Sequence, residues 1–317
     1  MKILLQQKSG LGNQLFQYAA GLYFARRHAA TLEIIRESEE RAVSFGHPRP
    51  FLLSKFRITM PVRQRNGWDR MLCSTSSYKR PLSVPARALT GTHLYKPDFR
   101  TDWLFVPELP VTSTVQTIYI DGYFQAHQYA QSNESQLRNE LTLCEAPTGN
   151  NLEMIEQIRA CQSSVSLHVR RGDYTKIYGG RDALPIAYYQ NAIEAMHEHA
   201  NDPTFFVFSD DIAFCRENLP SGPRYIFVDH NSQSEAHEDI RLMSACRHNI
   251  MANSSFSWWG AWLNPNPDKV VLVPDRWLDP NVPHTDLLPP SWRRIPTAFS
   301  SPAPSLSSTS DNSLIRT

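Results

Sequence analysis

The segment Ser166-Leu167-His168-Val169-Arg170-Arg171-Gly172-Asp173-Tyr174 gathers an imidazole, two guanidinium groups and a carboxylate around one strand end. Guanidinium groups suit phosphate, because they present planar, paired donors and never deprotonate. Strand alternation puts Ser166, His168 and Arg170 on one face and Val165, Leu167 and Val169 on the other. Arg170 then arrives at the C-terminal end of the strand, beside a glycine that frees the backbone, and Asp173 can pair with one arginine and hold it. Surface salt bridges alone could give an Arg-Arg pair. An imidazole and a guanidinium sharing the polar face of an otherwise apolar strand point instead to a ligand.

Two further corners could receive an anion. In Asn253-Ser254-Ser255-Phe256-Ser257-Trp258-Trp259-Gly260 a Ser-rich turn opens an aromatic helix. Hydroxyls and free N–H groups at a helix N-terminus form an anion site, and the same serines can serve as caps. Gly10-Leu11-Gly12-Asn13-Gln14-Leu15 stands between a strand and a helix and nearly matches the dinucleotide fingerprint, with Glu33 near its acidic position. Leu15 replaces the third glycine, and its side chain would obstruct close helix–sheet packing. Gly10 and Gly12 still suit a ligand oxygen, although a plain tight turn would read the same way.

Metal chemistry has little support. Ser209-Asp210-Asp211 reads as a cap for the helix that follows, and no His/Cys cluster has ligand spacing. Five scattered cysteines without CxxC spacing read as reduced thiols. A formal charge of +1 over 317 residues supplies no global field for nucleic acid or anionic membrane. The N-terminus lacks a signal-peptide pattern, and no apolar run reaches spanning length, so a cytoplasmic protein is expected.

The elements that must position these groups follow from periodicity. Lys2–Leu5 predicts a strand, Leu11 to Ala25 a helix, Thr31–Ile35 a second strand and Thr117–Asp121 another, with a helix to Leu143. Residues 36–111 show weak periodicity and stay unassigned. After a linker at 144–150, apolar strands are expected at Val165–Arg170, Phe205–Ser209, Tyr225–Asp229, Asn249–Ala252 and Val270–Val273, with helices between them. That alternation predicts a parallel, doubly wound α/β sheet whose ligands sit beyond the strand C-termini. Pro296–Thr317 is Ser/Pro-rich and predicts a disordered tail.

Taken together, GLGNQLFQYAAGLYFA at 10–25, GYFQ at 122–125, HVRRGDY at 168–174, FVFSDD at 206–211 and LMSACRHNIMANSSFSWWGAWL at 242–263 resemble glycosyltransferase family 11, the α-1,2-fucosyltransferases. The resemblance implies a GT-B fold, two Rossmann-like domains facing across a cleft. The acceptor side would occupy residues 1–147, the GDP-fucose side 148–295 and the tail 296–317. It implies metal-independent, inverting transfer of L-fucose from GDP-β-L-fucose to the 2-hydroxyl of a galactose-terminated glycan, such as a lipid-linked surface-polysaccharide unit. No cofactor is implied, and any membrane association would be peripheral. Arg170 would hold the β-phosphate, supported by Arg171 and Asp173. His168 and Asp239 would contact the nucleoside. Ser254, Ser255, Phe256 and Ser257 would bind the diphosphate, and Asn13 would lie between fucose and acceptor. A general base is left unassigned among Asp173, Glu238 and His168.

Three rival readings remain. An NAD-linked oxidoreductase would use the first turn and Glu33. A glycan-binding module would use Tyr123, Phe124, Trp258 and Trp259. A fucosyltransferase of another linkage, or one acting on protein, would share the HxR and Ser-rich elements.

Overall fold

Two runs of strand and helix follow one another, and each closes on its own parallel sheet. The structure is a computed structural model, described over residues 1–44, 47–75, 80–98, 101–112, 114–175, 183–277 and 285–297. Strand β1 (Lys2–Gln7) leads into α1 (Leu11–Arg27), and β2 (Thr31–Arg36) pairs with β1 in parallel. The weakly periodic stretch then holds the β3 (Val43–Ser44) and β4 (His47–Pro48) hairpin, β5 (Val62–Gln64), α2 (Gly67–Leu72), α3 (Arg80–Leu89) and β6 (Thr92–Tyr95). Most of these elements are too short for a period to emerge. With β7 (Thr117–Ile120) the first sheet has five strands in the order β5-β2-β1-β7-β6, all parallel.

The single helix expected up to Leu143 is two, α4 (His127–Ser132) and α5 (Glu134–Glu140). They part at Asn133, whose side-chain amide donates back to the Tyr129 carbonyl at 3.0 Å. The second half runs α6 (Gly149–Ala160), β8 (Ser164–Val169), α7 (Ile186–His197), β9 (Thr204–Ser209), α8 (Ile212–Asn218) and β10 (Tyr225–Val228). It continues through α9 (Ala236–Ala245), β11 (His248–Ile250), α10 (Ser255–Leu263), β12 (Val271–Pro274) and β13 (Arg293–Ile295). Its six-stranded sheet has the order β10-β9-β8-β11-β12-β13, again all parallel. Counted along the chain, that is the 3-2-1-4-5-6 order of a Rossmann sheet.

Strand β13 was not expected, since two of its three residues are exposed arginines and only Ile295 is buried. Of the expected tail, Pro296 and Thr297 are described. Thr297 donates from both N and Oγ1 to Asp275 Oδ1, at 2.9 and 2.6 Å. The remainder of the expected tail, 298–317, lies outside the described residues.

Helix α1 is buried on nearly every side, which explains why apolar residues and Gln14 and Gln17 fill its whole circumference. One side covers the first sheet and another meets α10. There Phe16 packs on Trp258 at 4.5 Å and on Trp259 at 5.3 Å between ring centroids. Such pairs contribute about 0.5–1.5 kcal/mol each beyond the area they bury. They join one apolar core that runs from Ile3 and Ile118 under the first sheet to Phe206 and Val273 under the second. Val165, Leu167 and Val169 point to the opposite face, against α7, as alternation requires.

Candidate active site

In a doubly wound sheet the crevice opens where strand order reverses. For the second sheet that point lies between β8 and β11, so the residues leaving their C-terminal ends, Arg170 and Ala252 to Ser255, share one corner. Strand β8 is also registered against β9, with Val169 opposite Ser209. The next residues are therefore neighbours: Arg170 Nη1 reaches Asp210 Oδ2 at 2.7 Å. The Arg171 backbone N–H donates to Asp210 Oδ1 at 2.9 Å, and Arg171 Nε faces Asp211 Oδ2 at 3.3 Å. The Arg171 guanidinium lies over the Phe214 ring, 3.4 Å from its centroid.

This extends one expectation. Asp211 does cap α8, accepting from Phe214 N at 3.2 Å, but the Asp-Asp pair also anchors both arginines. Asp173 was expected in that role; its side chain lies outside what the structure describes. The signal for Asp210 was present in the sequence as an acid directly after the strand adjacent to HVRR. At Gly172 a Cβ would stand 2.3 Å from Asp210 Oδ2, so a side chain there would displace the carboxylate.

His168 is buried, with its ring 5.6 Å from that of Phe256. Burial, with the Arg170 charge nearby, holds its imidazole down at about 3, so it is neutral, and its Nδ1 has no hydrogen-bond partner among the described residues. Ser254 caps α10, its Oγ accepting from Phe256 N at 3.3 Å. At the far end of α10, Lys269 Nζ donates to the carbonyls of Ala261 and Asn264 at 2.8 and 2.7 Å and fixes the helix in place. Ser257, also expected at the diphosphate, is buried, and its hydroxyl donates to the Ser254 carbonyl at 3.2 Å within the helix end.

Asp239 stands at another corner, where the loop after β10 meets the start of α9. Asn231 Nδ2 donates to it at 2.7 Å, and Asn231 is bonded in turn to Asn151. Surrounding protein pushes the Asp239 carboxyl up to about 7, against the Asn231 bond that favours its charged form. Glu238 is ion-paired to Arg241 at 2.9 Å.

The first sheet reverses order between β1 and β7, and its crevice faces the second one. Gly10, the N-cap of α1, turns the chain, with its carbonyl receiving Asn13 N and Gln14 N at 3.0 Å. Gly12 lies directly against the N-terminus of α10, where its missing Cβ would meet Ser255 C and Phe256 N at 2.5 Å. Asn13 Nδ2 donates to Ser9 Oγ at 2.9 Å, and Asn13 Oδ1 accepts from Gln125 Nε2. Gln125 belongs to the GYFQ turn, which Asp102 holds by accepting from Tyr123 N and Phe124 N. Lys8 Nζ pairs with Asp121 Oδ1 at 2.7 Å and sits over the Tyr123 ring. Lys8, Asp121 and Gln125 were not singled out as site residues.

Two rivals lose most of their residues. Glu33 lies inside β2, paired with Lys2 and Arg63, while the strand end that a dinucleotide ribose would need carries Arg36. Phe124, Trp258 and Trp259 are core residues, so they offer a glycan no platform. Among the described residues no group of three or more His, Cys, Asp and Glu could hold a metal ion, and no helix is long and apolar enough to cross a membrane.

Two facing Rossmann-like halves, one with an arginine and a helix N-terminus at its crevice and the other with polar amides, define a glycosyltransferase of the GT-B architecture. The chain belongs to glycosyl transferase family 11, whose family model matches residues 106–295. It is 30% identical over 298 residues to the O-antigen biosynthesis glycosyltransferase WbnK of Escherichia coli, covering 84% of this chain and 91% of that protein. It is 29% identical to an alpha-1,2-colitosyltransferase of Escherichia coli, over 86% of this chain and 91% of the relative. To galactoside alpha-(1,2)-fucosyltransferase 1 of Oryctolagus cuniculus it is 26% identical, over 80% of this chain and 61% of the relative.

Proposed function

We propose that the enzyme transfers L-fucose from GDP-β-L-fucose to the 2-hydroxyl of a terminal galactose, with inversion at the fucose anomeric carbon. The observation that carries this reading is Arg170, held by Asp210 at the β8–β11 crevice beside the start of α10. The galactose hydroxyl attacks C1 of fucose from the face opposite GDP, the C1–O bond to the diphosphate breaks, GDP leaves with the bonding pair, and the hydroxyl proton is lost to solvent. Charge then grows on the β-phosphate, where the Arg170 guanidinium and the N–H groups of Ser255 and its neighbours are preorganised to meet it. His168, neutral at working pH, serves as a hydrogen-bonding partner of the donor; an imidazole held near 3 is too weakly basic to take the acceptor proton. Asn13 and Gln125 hold the reacting sugars on the opposite wall. The O-antigen relative supports a surface-polysaccharide acceptor.

A second reading keeps the site and changes the donor. The similarity to an alpha-1,2-colitosyltransferase favours a colitosyl group, which lacks the 3-hydroxyl of fucose. Incubation with GDP-fucose or GDP-colitose and a panel of β-galactosides, followed by linkage analysis, tests both. A product linked elsewhere than galactose O2 would overturn the linkage, and turnover confined to GDP-colitose would overturn the donor.

A further inference from the structure

Every strand of the first sheet delivers a charged residue at its C-terminal end. These are Lys8 after β1, Arg36 closing β2, Arg65 after β5, Lys96 after β6 and Asp121 after β7. All five line one cavity of about 320 Å³, joined there by Arg41 and Arg49 from the loop beyond β2. Its two carboxylates are already shared. Asp121 lies between Lys8 and Lys96, at 2.7 and 3.4 Å, and Glu37 between Arg65 and Arg70, at 2.8 and 3.1 Å. Among the described residues Arg36 and Arg41 have no carboxylate partner, and the Arg36 guanidinium rests over the Phe51 ring. A neutral galactoside gives such a cavity nothing to balance. Its wall includes Ser9, whose hydroxyl accepts from Asn13, so it opens beside the residue placed against the acceptor.

From this we infer that the cavity binds an anionic group of the acceptor, a phosphate, diphosphate or carboxylate, and that the enzyme selects charged over neutral galactosides. The inference rests on the proposed function for the identity of the acceptor sugar. The test uses galactosides that differ only in the aglycone: an uncharged alkyl chain, an alkyl carboxylate and an alkyl diphosphate. Hydrogen bonds to charged groups make a charged aglycone lower KM by roughly ten- to a hundredfold. That advantage should shrink in high salt and disappear in Arg36→Gln/Arg41→Gln, whose neutral-acceptor kinetics and melting temperature stay put. Gain from the diphosphate alone assigns the anion to a lipid carrier, and equal gain from the carboxylate assigns it to an acidic glycan. Equal KM for charged and neutral acceptors, or an advantage that survives in the variant, overturns the inference. Should no galactoside react at all, the proposed function fails. The cavity is then read directly, by the shift in melting temperature that inorganic pyrophosphate produces with GDP saturating. A shift in wild type that the variant loses supports the cavity, and no shift overturns it.

A separate observation concerns α3. Its exposed residues are Pro81, Leu82, Val84, Pro85, Ala88 and Leu89, while Ser83 and Arg87 turn toward the body. Leu82 and Leu89 are 68% and 88% exposed, and Trp68 on the adjoining α2 is 53% exposed. Apolar residues thus face solvent where a surface helix ordinarily presents charge. Between Asp69 and Asp98 the chain carries Arg70, Lys79, Arg80, Arg87 and Lys96 and no acidic residue. Apolar side chains, a tryptophan and a stretch of sequence with basic but no acidic residues are together the composition of a segment lying on an anionic bilayer. The structure assigns α2 and α3 to such a surface. Full-length protein should sediment with vesicles of phosphatidylcholine and phosphatidylglycerol and much less with phosphatidylcholine alone. Leu82→Glu/Leu89→Glu should abolish sedimentation and leave transfer to a water-soluble galactoside intact. Equal sedimentation of the variant overturns the assignment. A dimer in solution that the same variant dissolves also overturns it, because the face would then belong to a second copy.

Discussion

Gly12 and Ser255 meet backbone to backbone, so closely that a Cβ on Gly12 would stand 2.5 Å from the Ser255 carbonyl carbon. The N-termini of α1 and α10 therefore touch, one from each half, and the cleft floor is made of main chain. Gly12→Ala is expected to force the two apart. Overpacking of this kind costs about 1–3 kcal/mol, and kcat should fall with the melting temperature. Gly10→Ala is the control, since its nearest contact would be Arg49 Nη1 at an ordinary 3.9 Å. Equal tolerance of both substitutions would show that the contact is dispensable.

Arg170→Ala is expected to lower kcat by about 10²–10³, the loss of one preorganised donor to developing charge, and to weaken GDP binding less. Arg170→Lys should recover part, since a point charge cannot reproduce paired donors. Asp210→Asn should fall between them, because it weakens one anchor of the guanidinium without removing the guanidinium itself. Rates, GDP affinity and melting curves decide. Near-wild-type turnover by a folded Arg170→Ala protein would take this residue out of the mechanism.

Two groups shifted by their surroundings, His168 and Asp239, should tilt stability against pH in opposite directions. His168 is held at about 3 by burial and by Arg170, below its ordinary 6.5. Between those values the unfolded chain binds a proton that the folded chain refuses, so this residue makes stability rise with pH. Asp239 is raised by burial from 3.8 to about 7. The folded chain keeps a proton that the unfolded one gives up, so this residue makes stability fall with pH across that window. Relative to wild type, His168→Gln should gain stability at the acid end and Asp239→Asn at the neutral end. Melting temperatures that run parallel to wild type would refute the sign for the residue concerned.

Transfer is expected to continue in excess EDTA, because the proposed roles of Arg170 and the start of α10 are to give the charge stabilisation that a divalent ion would otherwise supply. Activity lost to the chelator and restored by Mg²⁺ or Mn²⁺ would mean that a metal carries the diphosphate.

Legibility in the sequence tracked element length and the reach of each contact. Strand β8 was readable because six residues alternate and are buried on both faces, which fixed the directions of His168 and Arg170. Helix α1 was readable over seventeen residues. Asp210 was discounted, because its partnership with Arg170 comes from the β8–β9 register, which a local reading does not contain. Ser257 suits a ligand and a helix end alike, because capping and anion binding favour the same residue types at a helix start. The charged strand ends of the first sheet went unseen because β5 and β6 have three and four residues, so Arg65 and Lys96 could not be recognised as strand ends.

The seam formed by Phe16, Trp258 and Trp259 also bears on how such enzymes can be recombined. The proposed acceptor and donor sites sit on separate sheets, which invites grafting the acceptor half of one relative onto the donor half of another. A crossover placed between the sheets would divide an interlocking set of rings and set a foreign α1 against the native α10. A working hybrid has to exchange these two helices together, although more than two hundred residues of sequence lie between them.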